Sequence, residues 1–103
     1  MDIYALLEGC QEFQWDKGNS AKSWLKHGVT QGEAEQVFFN EPFLFEDAKH
    51  SRNEHRFLAF GKTDDNRHLL IVFTIRAHQI RVISARNMNK QERTNYEKLE
   101  TNT

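Results

Sequence analysis

Arginine is the residue type that offers chemistry in this chain. Between residues 52 and 93 there are nine cations, seven of them arginine, against four acids. A guanidinium matches a phosphate with two parallel hydrogen bonds, which an ammonium cannot do. Arg76 and Arg81 flank a two-residue turn, and Arg86 lies at the far end of the same run. Alternation places Leu70, Val72, Thr74 and Arg76 on one face of their strand. In the next strand it groups Ile80, Val82, Ser84 and Arg86, with Arg81, Ile83 and Ala85 opposite. Such a sheet edge suits a phosphodiester. Arginines at strand ends that simply reach into solvent would give the same pattern.

Proton transfer near neutral pH points to histidine. The chain has His27, His50, His55, His68 and His78. His27 follows Lys26 at an expected helix end, where a C-terminal cap is the plainer role. His68 and His78 fall beside turns and are expected in water. His50, His55 and Asp47 have loose zinc-like spacing, but Cys10 is the only cysteine, so no metal site is expected. There is no glycine-rich phosphate loop, no G-x-S-x-G elbow and no H-E-x-x-H.

The elements that position these residues follow from periodicity. Residues 13–15 alternate as a short strand. Asp16 caps a helix over 17–27, with Ala21, Trp24 and Leu25 on one face and Gly28 just beyond its end. Thr30 and Glu33 form a capping box for a helix over 31–39, closed by Pro42. Strands are expected at 43–46, 55–62, 69–76 and 79–86. Their short connections force antiparallel pairing. The 69–75 run is apolar on both faces and belongs in the centre. Asn89 and Glu92 open a last helix to about residue 100. The expected fold is α+β: an antiparallel meander with two N-terminal helices and one C-terminal helix. Residues 1–12 are a short helix or an extension, 13–100 a single domain, and 101–103 a frayed tail. Phe57, Phe60 and Phe73 read as core, with base stacking as the alternative.

Composition bounds the rest. A chain of 103 residues at 38% hydrophobic and 12% aromatic makes one packed domain. No apolar run reaches a membrane span, and no signal peptide is evident, so a cytoplasmic location without membrane contact is the expectation. The net charge of −1 hides a division: residues 1–51 carry −5 and residues 52–93 carry +5. A basic half suggests an anionic partner.

One set of strings is more specific. Phe13-Gln14-Trp15-Asp16, Asn19, Lys26-His27-Gly28-Val29, Glu33-Ala34 and Val37-Phe38-Phe39 resemble the start of the BrnT family of bacterial type II toxin–antitoxin modules. His50-Ser51, Arg56-Phe57, Gly61-Lys62, Val72 to Arg76, Ile80 to Arg86, Glu92 and Tyr96 continue the resemblance. Ala77 and Asp65-Asn66 depart from it, where the family favours glycine.

The resemblance implies a fold similar to RelE-type ribonucleases. It also implies an endoribonuclease that inhibits translation without cofactor or metal, by attack of the RNA 2′-OH on the adjacent phosphorus. The candidate catalytic residues are Lys26, His27, His55, Arg76, Arg81 and Arg86. Arg56, Lys62 and Lys90 are candidates for RNA binding. The implied partner is a BrnA-type ribbon-helix-helix antitoxin, through which alone the chain meets operator DNA. The alternative is a binding module for RNA or antitoxin that acts as co-repressor without turnover.

Overall fold

The computed structural model describes residues 2–102. Helix α1 (Ile3–Glu8) precedes strand β1 (Glu12–Gln14), helices α2 (Lys17–His27) and α3 (Gln31–Phe39), and strand β2 (Phe43–Glu46). A single 3-10 turn (Ala48–His50) leads to β3 (Phe57–Lys62), β4 (His68–Arg76), β5 (Gln79–Asn87) and helix α4 (Lys90–Thr101). The strands form one sheet in the order β1-β5-β4-β3-β2, which puts the doubly apolar β4 at its centre.

β2 to β5 run as the expected antiparallel meander, but β1 corrects it to a mixed sheet. Phe13 of β1 pairs in parallel with Ile80 of β5. A parallel pair needs a long crossover, and the 64 residues between β1 and β5 (14 to 79) supply it.

The core lies between the sheet and α3. Ala34 and Val37 of α3 meet Phe57, Ala59, Leu69, Ile71, Phe73, Val82 and Ala85, all at or near zero exposure. Phe38 packs edge-on against Phe73 at 5.0 Å and Phe13 at 5.5 Å. Phe57 and Phe73 are thus core. Gly61 sits where β3 passes α3, and a Cβ there would lie 2.8 Å from Val37 Cγ1.

The segment read as a possible extension carries α1. Its Ile3 and Leu7, and Cys10 just beyond, pack against the core. The Tyr4 hydroxyl accepts the Leu44 N–H at 3.0 Å, on the outer edge of β2. At the other end, Thr101 is the last helical residue of α4, and Thr103 of the expected tail lies outside the described residues, as does Met1.

The facing of α2 and of β5 is set by the fold. Ala21, Trp24 and Leu25 of α2 do not face the core; Trp24 is 57% and Leu25 79% exposed. The helix is anchored by a polar residue instead. Asn19, 5% exposed, donates from Nδ2 to the carbonyls of Gln14 and Val82, both at 3.0 Å. In β5 the expected parity fails. Val72 pairs with Ser84 but Phe73 pairs with Val82, so Ile83 is the extra residue of a bulge. Parity flips there. Arg81 and Arg86, assigned to opposite faces by alternation, share the face of Leu70, Val72, Thr74 and Arg76.

Candidate active site

The arginine-bearing face divides into two ends. At the β4–β5 hairpin end, a cavity of about 250 Å³ is lined by Lys22, Glu54, Arg56, Arg76 and Arg81, among others. Glu54 and Arg56 also line a second, wider cleft of about 570 Å³ with Lys49, His50, Arg52 and Asn53. The two clefts form one groove through these shared residues. Six lysines and arginines line it, with Glu54 the single carboxylate among the lining residues.

Each part is held by a local rule. Arg76 and Arg81 flank the hairpin Ala77-His78, whose residues both have positive φ, 48° and 61°. That is the two-residue turn whose twist matches the strands. Arg56 ends the loop before β3, pinned by Ser51: its N–H donates to Ser51 Oγ at 3.0 Å, and its carbonyl accepts the Asp47 N–H at 2.8 Å. Lys22 comes from α2.

The electrostatics centre on Glu54. Arg76 grips it with two bonds, Nε to Oε2 at 2.9 Å and Nη2 to Oε1 at 2.7 Å. That guanidinium holds the Glu54 carboxyl below the usual range against its partial burial, with Arg56 and Arg81 adding to the effect. Arg81 donates to Asp16 Oδ2 at 2.8 Å. Asp16 Oδ1 meanwhile accepts the Asn19 N–H at 3.0 Å, and the Asp16 N–H donates to Asn19 Oδ1 at 2.7 Å, capping α2. The Asn19 N–H and then Arg81 keep the Asp16 carboxyl low.

The other predicted residues stand elsewhere. His55 neighbours the groove in sequence, but its ring turns to Glu46 at 2.9 Å and stacks against Phe57. Arg86 lies at the far end of β5. It grips Glu92 with two bonds of 2.7 and 2.9 Å, and Glu92 also accepts the Asn89 N–H in the capping box of α4. Lys62 pairs with Glu100 at 2.8 Å beside Tyr96, whose hydroxyl is pushed up to about 12 by burial and by Glu100. Lys90 opens α4 and is exposed. Lys26 and His27 end α2 in solvent. The His27 and Gly28 carbonyls are taken by Arg67, which also pairs with Glu33 and Asn87.

His68, expected in water, is half-buried edge-on against Tyr96 at 5.5 Å. Burial, then Arg93, lowers its pKa. The structure therefore brings together Arg56, Arg76 and Arg81 and adds Glu54, Asp16 and Lys22, which spacing did not single out. Glu54 carried one signal, its place beside His55 and Arg56.

Among the described residues, no group of three or more His, Cys, Asp or Glu side chains is arranged to hold a metal, and no helix is long and apolar enough to cross a membrane.

No curated protein matches the sequence. The fold is similar to the crystal structure of the Brucella abortus ribonuclease toxin BrnT. That likeness has a TM-score of 0.57 at 19% identity and covers 78% of this chain and 99% of that one. Residues 15–92, which hold the whole groove and every strand after β1, match the family model described as the ribonuclease toxin, BrnT, of type II toxin–antitoxin systems. The chain belongs to that family.

Proposed function

We propose that the chain is an endoribonuclease whose catalytic centre is the hairpin-end groove, with Arg56, Arg76 and Arg81 around Glu54. The observation that carries this reading is the meeting of three guanidinium groups and one carboxylate on a single exposed groove. Cleavage by the neighbouring 2′-OH needs a base, an acid and fixed positive charge at the phosphorane. Charge fixed in advance is usually the largest contribution.

A phosphodiester entering the groove competes with Glu54 for Arg76. Once Arg76 turns to the phosphate, the Glu54 carboxylate is free to take the 2′-OH proton. The 2′-oxygen then attacks phosphorus. Arg56 and Arg81 hold the non-bridging oxygens as charge develops there. The bond to the 5′-oxygen breaks, and that oxygen takes a proton from the Lys22 ammonium. The products are a 2′,3′-cyclic phosphate and a free 5′-OH. Arginine supplies the charge that a metal ion supplies in other nucleases, so the reaction proceeds in EDTA. Arg86, Lys62 and Lys90 serve the far end of the sheet, and Lys26 and His27 lie outside the centre.

In this reading the chain shuts down translation by cutting RNA, shares the sheet architecture of RelE-type toxins, and is neutralised by a BrnA-type ribbon-helix-helix antitoxin through which it reaches operator DNA. The test is incubation of the antitoxin-free protein with total RNA in EDTA, followed by mapping of the new ends. Cyclic phosphate and 5′-OH ends, lost in Glu54→Gln and Arg81→Ala, are expected. Absence of cleavage, with or without ribosomes and magnesium, would replace the enzyme with a binding module.

A further inference from the structure

Away from the basic groove, α1 and α3 enclose an apolar trough. Two adjoining cavities of about 400 and 420 Å³ share Leu7, Glu8 and Phe38 and run from Ile80 to Pro42. The floor is Leu7, Phe13, Phe38, Pro42 and Leu44. Phe39, 76% exposed, lines one cavity, and Tyr4, 50% exposed, lines the other. So much contiguous exposed apolar surface marks an interaction site rather than ordinary solvent-facing residues.

The rim decides the partner. Glu8, Glu12, Glu35 and Glu41 line the two cavities, and no lysine or arginine does. Two of them are already engaged: Glu35 accepts the Trp15 Nε1–H at 2.8 Å, and Glu12 accepts an Nε2–H of Gln79. Four carboxylates repel a phosphate backbone, so RNA does not belong here. A second copy docked by the same face would set like charges against each other. A segment with apolar residues on one side and lysines or arginines flanking them meets both requirements. It enters as a helix, because the Tyr4 hydroxyl already takes the outward N–H of Leu44 and blocks strand addition at β2.

We propose that this trough docks a basic amphipathic helix of the module's antitoxin. The identification of the partner rests on the family reading, while the surface rests on the geometry. α1 lies outside the matched residues 15–92, so one wall of the trough is built by a segment beyond the part that matches the family model. The trough lies away from the arginine groove and shares no lining residue with it. Docking here supplies affinity, and the arginines are covered by a different part of the partner.

The test is titration calorimetry of the full chain with its co-encoded antitoxin. Phe39→Glu places a charge on the trough lining without disturbing a buried residue and should weaken binding at least 100-fold. Glu8→Lys with Glu41→Lys should weaken it at least tenfold. Both free variants should cleave RNA at the parent rate, which shows that fold and groove are intact. Hydrogen exchange on the complex should protect α1 and α3. Parent affinity in both variants, protection confined to α2 around Trp24 and Leu25, or a self-association of the free chain abolished by Phe39→Glu would each overturn the proposal. A wild-type chain that binds the antitoxin but cuts no RNA would refute the ribonuclease reading alone.

Discussion

Arg81 and Arg86 sit on one strand and one face, yet removing each should do opposite things. Four residues separate them on β5, one of them the bulged Ile83. At about 3.3 Å per residue their backbones are roughly 15 Å apart, and Arg86 is drawn further off toward Glu92 at the start of α4. A phosphorane held by Arg56, Arg76 and Arg81 is therefore beyond Arg86. Loss of one preorganised donor to a developing oxyanion costs about 10²–10³ in rate, or about 3–4 kcal/mol. Arg81→Ala should show that loss with an unchanged urea midpoint, because its partner Asp16 is exposed and keeps its capping bond. Arg86→Ala should leave the cleavage rate within about twofold. It removes a two-bond pair that ties β5 to the capping box of α4. With a third of the Arg86 side chain in solvent, screening limits that pair to about 1 kcal/mol, or about 4–8 °C in Tm for a domain of this size. The assay is cleavage of a fluorogenic RNA beside urea and thermal unfolding of both variants. An Arg86→Ala protein that keeps its Tm and loses two orders of magnitude in rate would refute the two-ended division of the face.

Three further outcomes follow from the geometry. Stability should fall with pH in two stages, read as the urea midpoint. Burial, aided by Arg93, depresses the His68 pKa, so stability present above its unfolded value of about 6.5 is lost as pH falls below it. For Glu33, burial pushes the carboxyl up, but the Thr30 N–H and Arg67 outweigh it. For Glu92, Arg86 dominates, so both carboxyls are held low and a steeper loss begins below about pH 4.5. His68→Gln should remove the upper stage and leave the lower. Replacing Ala77-His78 by Asn-Gly should stabilise the hairpin by about 1 kcal/mol, because both residues now hold left-handed backbone; a lower Tm would count against the turn assignment. Gly61→Ala should cost about 1–3 kcal/mol in chemical denaturation, since its Cβ would meet Val37 Cγ1 at 2.8 Å and Pro42 Cβ at 3.3 Å.

What could be read from the sequence was local. The capping boxes Thr30/Glu33 and Asn89/Glu92 are both present, with each helix starting where its box places it. Gly28 closes α2 with φ 63°. β2 to β5 follow from alternation and short turns. What escaped depends on distant partners or leaves no periodic trace. The short strand β1 was legible near residues 13–15, but its parallel seat beside β5 was not. The bulge at Ile83 inserts one ordinary residue into an ordinary strand, yet it carries Arg81 across the sheet. The apolar spacing of Trp24 and Leu25 is helical as expected, but which way a helix turns is set by what anchors it, and here Asn19 does. The candidate site was half legible. The arginines announced themselves by type, whereas Glu54 and Lys22 join them only through the fold.

Asp16 has a consequence for motion. Its two carboxylate oxygens hold different things: Oδ1 the start of a helix, Oδ2 a guanidinium. A competing anion can take Arg81 from Oδ2 while Oδ1 keeps the first turn of α2 closed. On the proposed reading, arming the groove is then an exchange of side-chain partners rather than a rearrangement of the chain. The resting and engaged proteins share one backbone. On the proposed reading, the Asp16 carboxylate holds the guanidinium until a phosphate displaces it.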